Sequence, residues 1–328
     1  MVRRVLVAVL IGLIFAKGCL AGNYEESKTF FHQGNMQALK GEYDQAIADF
    51  TRAAELLSTE PNIYYNRGSA WLKKDQYDHA ITDYTRAIEL KPDFALAYQK
   101  RGLSWRNKNQ YDNAIADYSR AIEFMPEFAE AYLERGLSWR YKGRYDKSIA
   151  DYSRAIELKP DFALAYKERG LSWRYKGHYK KAIDDYTRAI ELKPDYAMAY
   201  QKRGLSWRNM GQYDKSIADY ARAIELMPNF AKPYNGCAWL WATCKDPAYR
   251  NGPKAIQYAL KAVELDKTAS HLDTLAAAYA EAGNFAMAVR TEQQALKACG
   301  SCSSRKNYRR LVGVYRSGQT YAEHRAGN

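Results

Sequence analysis

Proline is scarce in this chain, with 9 in 328 residues, so little interrupts helix along its length. Beyond the first 21 residues no stretch stays apolar for 18 residues, which excludes a membrane-spanning helix in the remainder. The 5 histidines (His32, His79, His178, His271 and His324) are scattered and form no H-E-x-x-H pair. No Gly-rich phosphate loop, G-x-S-x-G elbow or Cys/His dyad occurs. The expectation is a chain that is not an enzyme, with no catalytic residue, cofactor or metal.

What is present in excess is positive charge, 50 Lys+Arg against 37 Asp+Glu, a net +13. Hydrophobic residues make up 47%, enough for a large core and against global disorder. At the start, Arg3 and Arg4 precede an apolar run of 12 residues, Val5 to Ala16, too short for a bilayer of ~30 Å. Ala21 offers a small residue at the cut, so residues 1–21 read as a secretory signal peptide. The alternative is a lipid anchor on Cys19, which follows Gly18, although Lys17 stands where bacterial lipoprotein signals usually carry a small residue. Cleavage removes Arg3, Arg4 and Lys17 and leaves +10, a charge suited to acidic partners or anionic envelope surfaces. Export to the periplasm or cell envelope, or secretion, is expected. Nucleic acid is then not an expected partner, and any membrane tether runs only through Cys19.

A fixed period of 34 residues organises the rest. Glycine recurs at Gly34, Gly68, Gly102, Gly136, Gly170 and Gly204, and tyrosine at Tyr43, Tyr77, Tyr111, Tyr145, Tyr179 and Tyr213. Proline recurs at Pro92, Pro126, Pro160, Pro194 and Pro228, and tryptophan at Trp71, Trp105, Trp139, Trp173 and Trp207. In the unit 95–128, Tyr98, Gly102 and Trp105 share one helix face. A turn follows at Asn109, matched elsewhere by Gly41, Gly143, Gly177 and Gly211, residues that tolerate a left-handed helix end. Asp112 is expected to cap a second helix, as are Asp44, Asp78, Asp146 and Asp214, with Lys180 departing. Ala114, Tyr118 and Ala121 form that helix's apolar face, and Pro126 ends it. Small side chains let helix axes approach to roughly 8–10 Å while the rings fill the gaps, so the 28 tyrosines read as core.

These motifs resemble the tetratricopeptide repeat family. The resemblance covers residues 27–230 as six regular repeats, about 27–60, 61–94, 95–128, 129–162, 163–196 and 197–230. Residues 231–303 hold two degenerate repeats, and 304–328 a short polar capping helix and a tail. The resemblance implies an all-α, right-handed α-solenoid of helix–turn–helix repeats whose concave face grips peptides. Tyr64, Tyr98, Tyr132, Tyr166 and Tyr200 stand where that family often has tryptophan, an exchange of ring for ring.

Charges recur too. Asp117, Arg120 and Glu123 lie at i, i+3 and i+6 and are expected to pair along their helix. On the first helices, Gln99, Leu103 and Arg106 recur as Leu133, Leu137, Arg140; Lys167, Leu171, Arg174; and Gln201, Leu205, Arg208. The resemblance places this face in the groove, where rows of leucine and arginine suit an acidic or amphipathic peptide. One subgroup of the family grips C-terminal carboxylates through a Lys and Asn pair. Leu103, Leu137, Leu171 and Leu205 stand where that asparagine would fall, which argues against this mode.

Four cysteines remain after cleavage, in a compartment that permits disulfides. Cys299 and Cys302 can close locally, or act as a redox pair, though no thioredoxin-like pattern surrounds them. Cys237 and Cys244 can bond only if Cys244 lies beyond its helix end. A four-Cys zinc site needs two tight pairs, and one exists. The expected function is a non-enzymatic scaffold that binds a peptide or protein segment. The rivals are an envelope-assembly lipoprotein and a redox protein using Cys299 and Cys302.

Overall fold

The structure, a computed structural model, describes residues 22–326. The segment read as a signal peptide, with Cys19, lies outside the described residues. The described residues form two compact units, which divide between Pro160 and Asp161.

In the first unit, helix α1 (residues 22–40) packs with α2 (Tyr43–Leu56). The pairs α3 (Pro61–Lys73) with α4 (Tyr77–Leu90), α5 (Ala95–Asn107) with α6 (Tyr111–Phe124), and α7 (Ala129–Tyr141) with α8 (Tyr145–Leu158) follow. The second unit holds α9 (Ala163–Tyr175) with α10 (Tyr179–Leu192), α11 (Ala197–Asn209) with α12 (Tyr213–Leu226), and α13 (Ala231–Thr243) with α14 (Gly252–Leu265). Then come α15 (Ala269–Glu281) with α16 (Phe285–Cys299), α17 (Arg305–Arg316) and α18 (Tyr321–Ala326). Both units are thus tandem helical hairpins, the all-α solenoid class of fold expected from the periodicity.

The turn inside each hairpin is built from backbone bonds. After α5, Asn109 takes φ 59° and Gln110 N–H donates to the Trp105 carbonyl at 2.9 Å. This double-back satisfies carbonyls that the helix end leaves open. Gly143 does the same at φ 70°, with Arg144 N–H donating to Trp139 at 2.9 Å. The expected aspartate caps are not caps. The N-cap of α6 is Gln110, whose side chain makes no capping bond, and Asp112 lies inside the first turn. Asp44, Asp78, Asp146 and Asp214 likewise lie in the first turn, where a carboxylate complements the helix dipole.

The core repeats as the sequence does. Tyr84, Tyr118 and Tyr152 in the first unit, and Tyr186 and Tyr220 in the second, are fully buried. Each such ring contributes about 1.5–3 kcal/mol through burial. A Cβ added at Gly102 would stand 2.9 Å from Cε1 of Tyr118, so that close approach requires glycine.

Asp117 does not pair along its helix as expected. Its carboxylate accepts from Nε and Nη2 of Arg101, both at 2.8 Å, across the hairpin and 16 residues away. Arg120 pairs with Glu123, on the exposed face. The same buried bidentate pair joins Arg67 to Asp83 and Arg135 to Asp151 in the first unit, and Arg169 to Asp185 and Arg203 to Asp219 in the second. Arg101 Nη1 also reaches Thr85 of the preceding hairpin at 2.9 Å. Burial outweighs the guanidinium and lifts the carboxyls of Asp117, Asp151, Asp185 and Asp219 above the usual range. The pairing therefore does not fully offset the loss of water.

The C-terminal region is more ordered than a polar helix and a tail. α17 buries Tyr308, Leu311, Val312, Val314 and Tyr315, a stripe at helical spacing that covers the end of the core. α18 follows and sets Tyr321 edge-on against Trp239, with centroids 5.0 Å apart.

Candidate binding face on the first helices

Within each unit, the first helices of successive hairpins approach one another: α3, α5 and α7 in one, and α9, α11, α13 and α15 in the other. The residues singled out on this face divide into two groups. Leu103, Arg106, Arg140, Lys167, Leu171, Arg174, Leu205 and Arg208 are half-buried. Gln99, Leu133, Leu137 and Gln201 are buried, Leu133 to 3% exposure. The leucine row is therefore interrupted: Leu137 belongs to the core, whereas Leu103, Leu171 and Leu205 remain reachable.

The arginine row is not a free row of cations either. Arg106 Nη1 lies 3.3 Å from a carboxylate oxygen of Glu134, on the next first helix. In the second unit Glu168 sits beside Lys167, at 2.5 Å. Sequence reading missed this position, which runs Lys100, Glu134, Glu168, Lys202 at the same period. Its change of sign was the available signal.

The first unit adds an open depression of about 410 Å³ lined by Ala38, Leu39, Tyr43, Phe50 and Ala70, among others. Leu39 is 83% exposed at its rim. Asn35 and Asn66 line it as well and bond to each other at 2.8 Å. Such a surface can hold an apolar side chain next to amide donors and acceptors.

Cys299 and Cys302 form a disulfide, with Cα atoms 5.4 Å apart. Cys299 is the last residue of α16, and a helix C-terminus disfavours a thiolate. Cys237 and Cys244 are free and buried, although Cys244 does lie at the end of α13. Burial pushes the Cys237 thiol up to about 12, so it is no nucleophile at neutral pH. Among the described residues, no group of three or more His, Cys, Asp or Glu could hold a metal ion. Among them also, no helix is long and apolar enough to cross a membrane.

One titratable pair lies in the core of the last hairpin. Asp273 of α15 and Glu292 of α16 are buried against each other, close enough for the two carboxyls to share a hydrogen bond when one of them is protonated. The groups facing them from α17 are the hydroxyls of Tyr308 and Tyr315, with Arg310 acting on Tyr315. Burial, then the Asp273 charge, pushes the Glu292 carboxyl far above the usual range, and Asp273 is also raised. The native state therefore holds a proton that the unfolded chain releases in the ordinary carboxylate range. Stability falls as pH rises from that range through neutrality. Glu292→Gln, which keeps the shape of the protonated acid, is expected to stabilise the second unit by on the order of 2 kcal/mol at pH 8. Thermal melts at pH 5 and pH 8 check this; a wild type equally stable at both would refute it.

Tetratricopeptide repeat models match residues 61–94, 129–162, 163–196 and 197–230, and a TPR repeat model matches 34–75 and 106–139. No curated protein matches the chain. Among solved structures, the C-terminal part of a TPR repeat-containing protein from Cytophaga hutchinsonii is 20% identical with TM-score 0.59, covering 75% of this chain and 99% of that one. A tetratricopeptide repeat protein from Parabacteroides merdae is 14% identical with TM-score 0.55, covering 89% of this chain and 99% of that one. MamA protein is 27% identical with TM-score 0.48, covering 52% of this chain and 94% of that one. Periodicity, hairpin geometry and matched repeats agree: the chain belongs to the tetratricopeptide repeat family.

Proposed function

We propose that this protein is a non-enzymatic scaffold that holds a peptide or protein segment against the concave face of its first helices, after export to the cell envelope. The observation that carries this reading is half-buried Leu103 beside Arg106 in the first unit and, separately, half-buried Leu171 and Leu205 beside Arg174 and Arg208 in the second, on first helices that approach one another within each unit. Apolar anchors with flanking charge are what an extended or amphipathic segment needs for affinity and register. The depression at Leu39 supplies a further apolar anchor point. Family membership supports the role of interaction scaffold. Export rests on the sequence of residues 1–21.

A photo-crosslinking residue placed at Leu103 is expected to trap a partner in living cells, whereas one at exposed Glu123 on the second helix is not. Adducts from Glu123 alone would place the binding face elsewhere. Mass spectrometry of the mature protein is expected to find Gly22 as the first residue. A diacylglyceryl group on Cys19 would instead make it a lipoprotein.

A further inference from the structure

We propose that the first-helix face of the second unit carries a site for the carboxylates of an acidic peptide segment, built from Lys167, Arg174, Lys202 and Lys232 and continued by Arg208. This rests on the scaffold reading and names the chemistry of its partner.

In the first unit the groove cation is neutralised, because Arg106 meets Glu134 on the next first helix. Two periods further on, the residue equivalent to Glu134 is Lys202. The exchange leaves Arg174 facing a cation. Lys202 is held down to about 8 by burial first, and then by Arg174, Lys232 and Lys167; Glu168 alone opposes them. Glu168 already sits against Lys167. Arg174 and Arg208 both lie near enough to the hydroxyl of buried Tyr220 to act on it. The Nε of Arg174 is buried and donates to no acceptor, and Oε1 of Gln201 is buried without a donor. Arg208 continues the positive surface into a polar depression of about 360 Å³, shared with Lys245 and Arg325.

Partly desolvated like charges repel, and Glu168 relieves that repulsion only in part. A carboxylate would accept from the outer guanidinium nitrogens and the lysine ammonium groups and so offset their mutual repulsion. Half-buried Leu171 and Leu205, with Met198 at 43% exposure, lie on the same helices. They give a peptide backbone somewhere to rest, which an inorganic anion does not use.

The test uses the full chain and a fluorescein-labelled oligoglutamate peptide at about 0.05 M salt. Wild type is expected to bind it. Lys202→Glu, which installs the acid found at Glu134 and Glu168, is expected to weaken binding at least about tenfold while its melting temperature stays level or rises. Lys202→Gln, should the glutamate variant fold poorly, is expected to lose affinity by a smaller factor. Unchanged binding by both variants overturns the site, as does displacement of the peptide by equimolar inorganic phosphate. A crosslinked partner at Leu103 together with no oligoglutamate binding would sink the acidic site and leave the scaffold reading standing.

Discussion

Arg135→Ala is expected to destabilise the first unit by on the order of 3–5 kcal/mol. The variant leaves Asp151, whose side chain is 8% exposed, with no bidentate partner. It also removes the 3.0 Å bond from Arg135 Nη1 to Ser119, a link to the preceding hairpin. The carboxyl, already lifted by burial, would rise further once the guanidinium is gone. The double variant Arg135→Met with Asp151→Leu is expected to recover most of the loss, because apolar residues of similar volume replace buried ion pairs at little cost. Urea unfolding compares the three proteins. Equal losses in the single and double variants would mean that the pair stabilises outright. Hydrogen exchange should localise the damage to α5 through α8, since each hairpin contacts only its neighbours.

Tyr118→Ala is expected to cost about 3–5 kcal/mol. The ring is fully buried and is wedged against Gly102, so its removal opens a cavity that a helix pair fixed by the Arg101–Asp117 bridge closes poorly. The Tyr118 hydroxyl makes no well-formed hydrogen bond, its nearest polar neighbour being the Arg106 guanidinium, so Tyr118→Phe is expected to be close to neutral. A Phe variant as unstable as the Ala variant would show that the hydroxyl, and not the ring, holds this position.

Rings and small residues were legible because they recur: Gly102, Trp105, Tyr111, Tyr118 and Pro126 mark one hairpin, and its neighbours repeat them. The polar links were harder to read. Asp117 has a helical neighbour in Arg120, which local spacing favours, yet its partner Arg101 lies across the turn. Arg67, Arg101, Arg135, Arg169 and Arg203 keep the same period, so the signal was there, but only the hairpin geometry brings each one to its aspartate. The binding face was read as open rows because the reading followed one helix at a time. The burial of Leu133 and Leu137, and the Arg106–Glu134 pair, arise between helices. In α17, Arg305, Lys306, Arg309 and Arg310 hid the apolar stripe from Tyr308 to Tyr315.

Lys74 reaches back to Asp44, Lys108 to Asp78 and Lys142 to Asp112, each across 30 residues, while the arginine bridges span 16. Each of these ties is therefore shorter than one period. An in-frame duplication or deletion of a whole period in this stretch of the gene would re-form each of these ties with an equivalent partner, without a new side chain having to be selected. Copy number in this part of the chain can thus drift between related genomes, and the reach of the molecule becomes a quantity that selection can tune in whole steps.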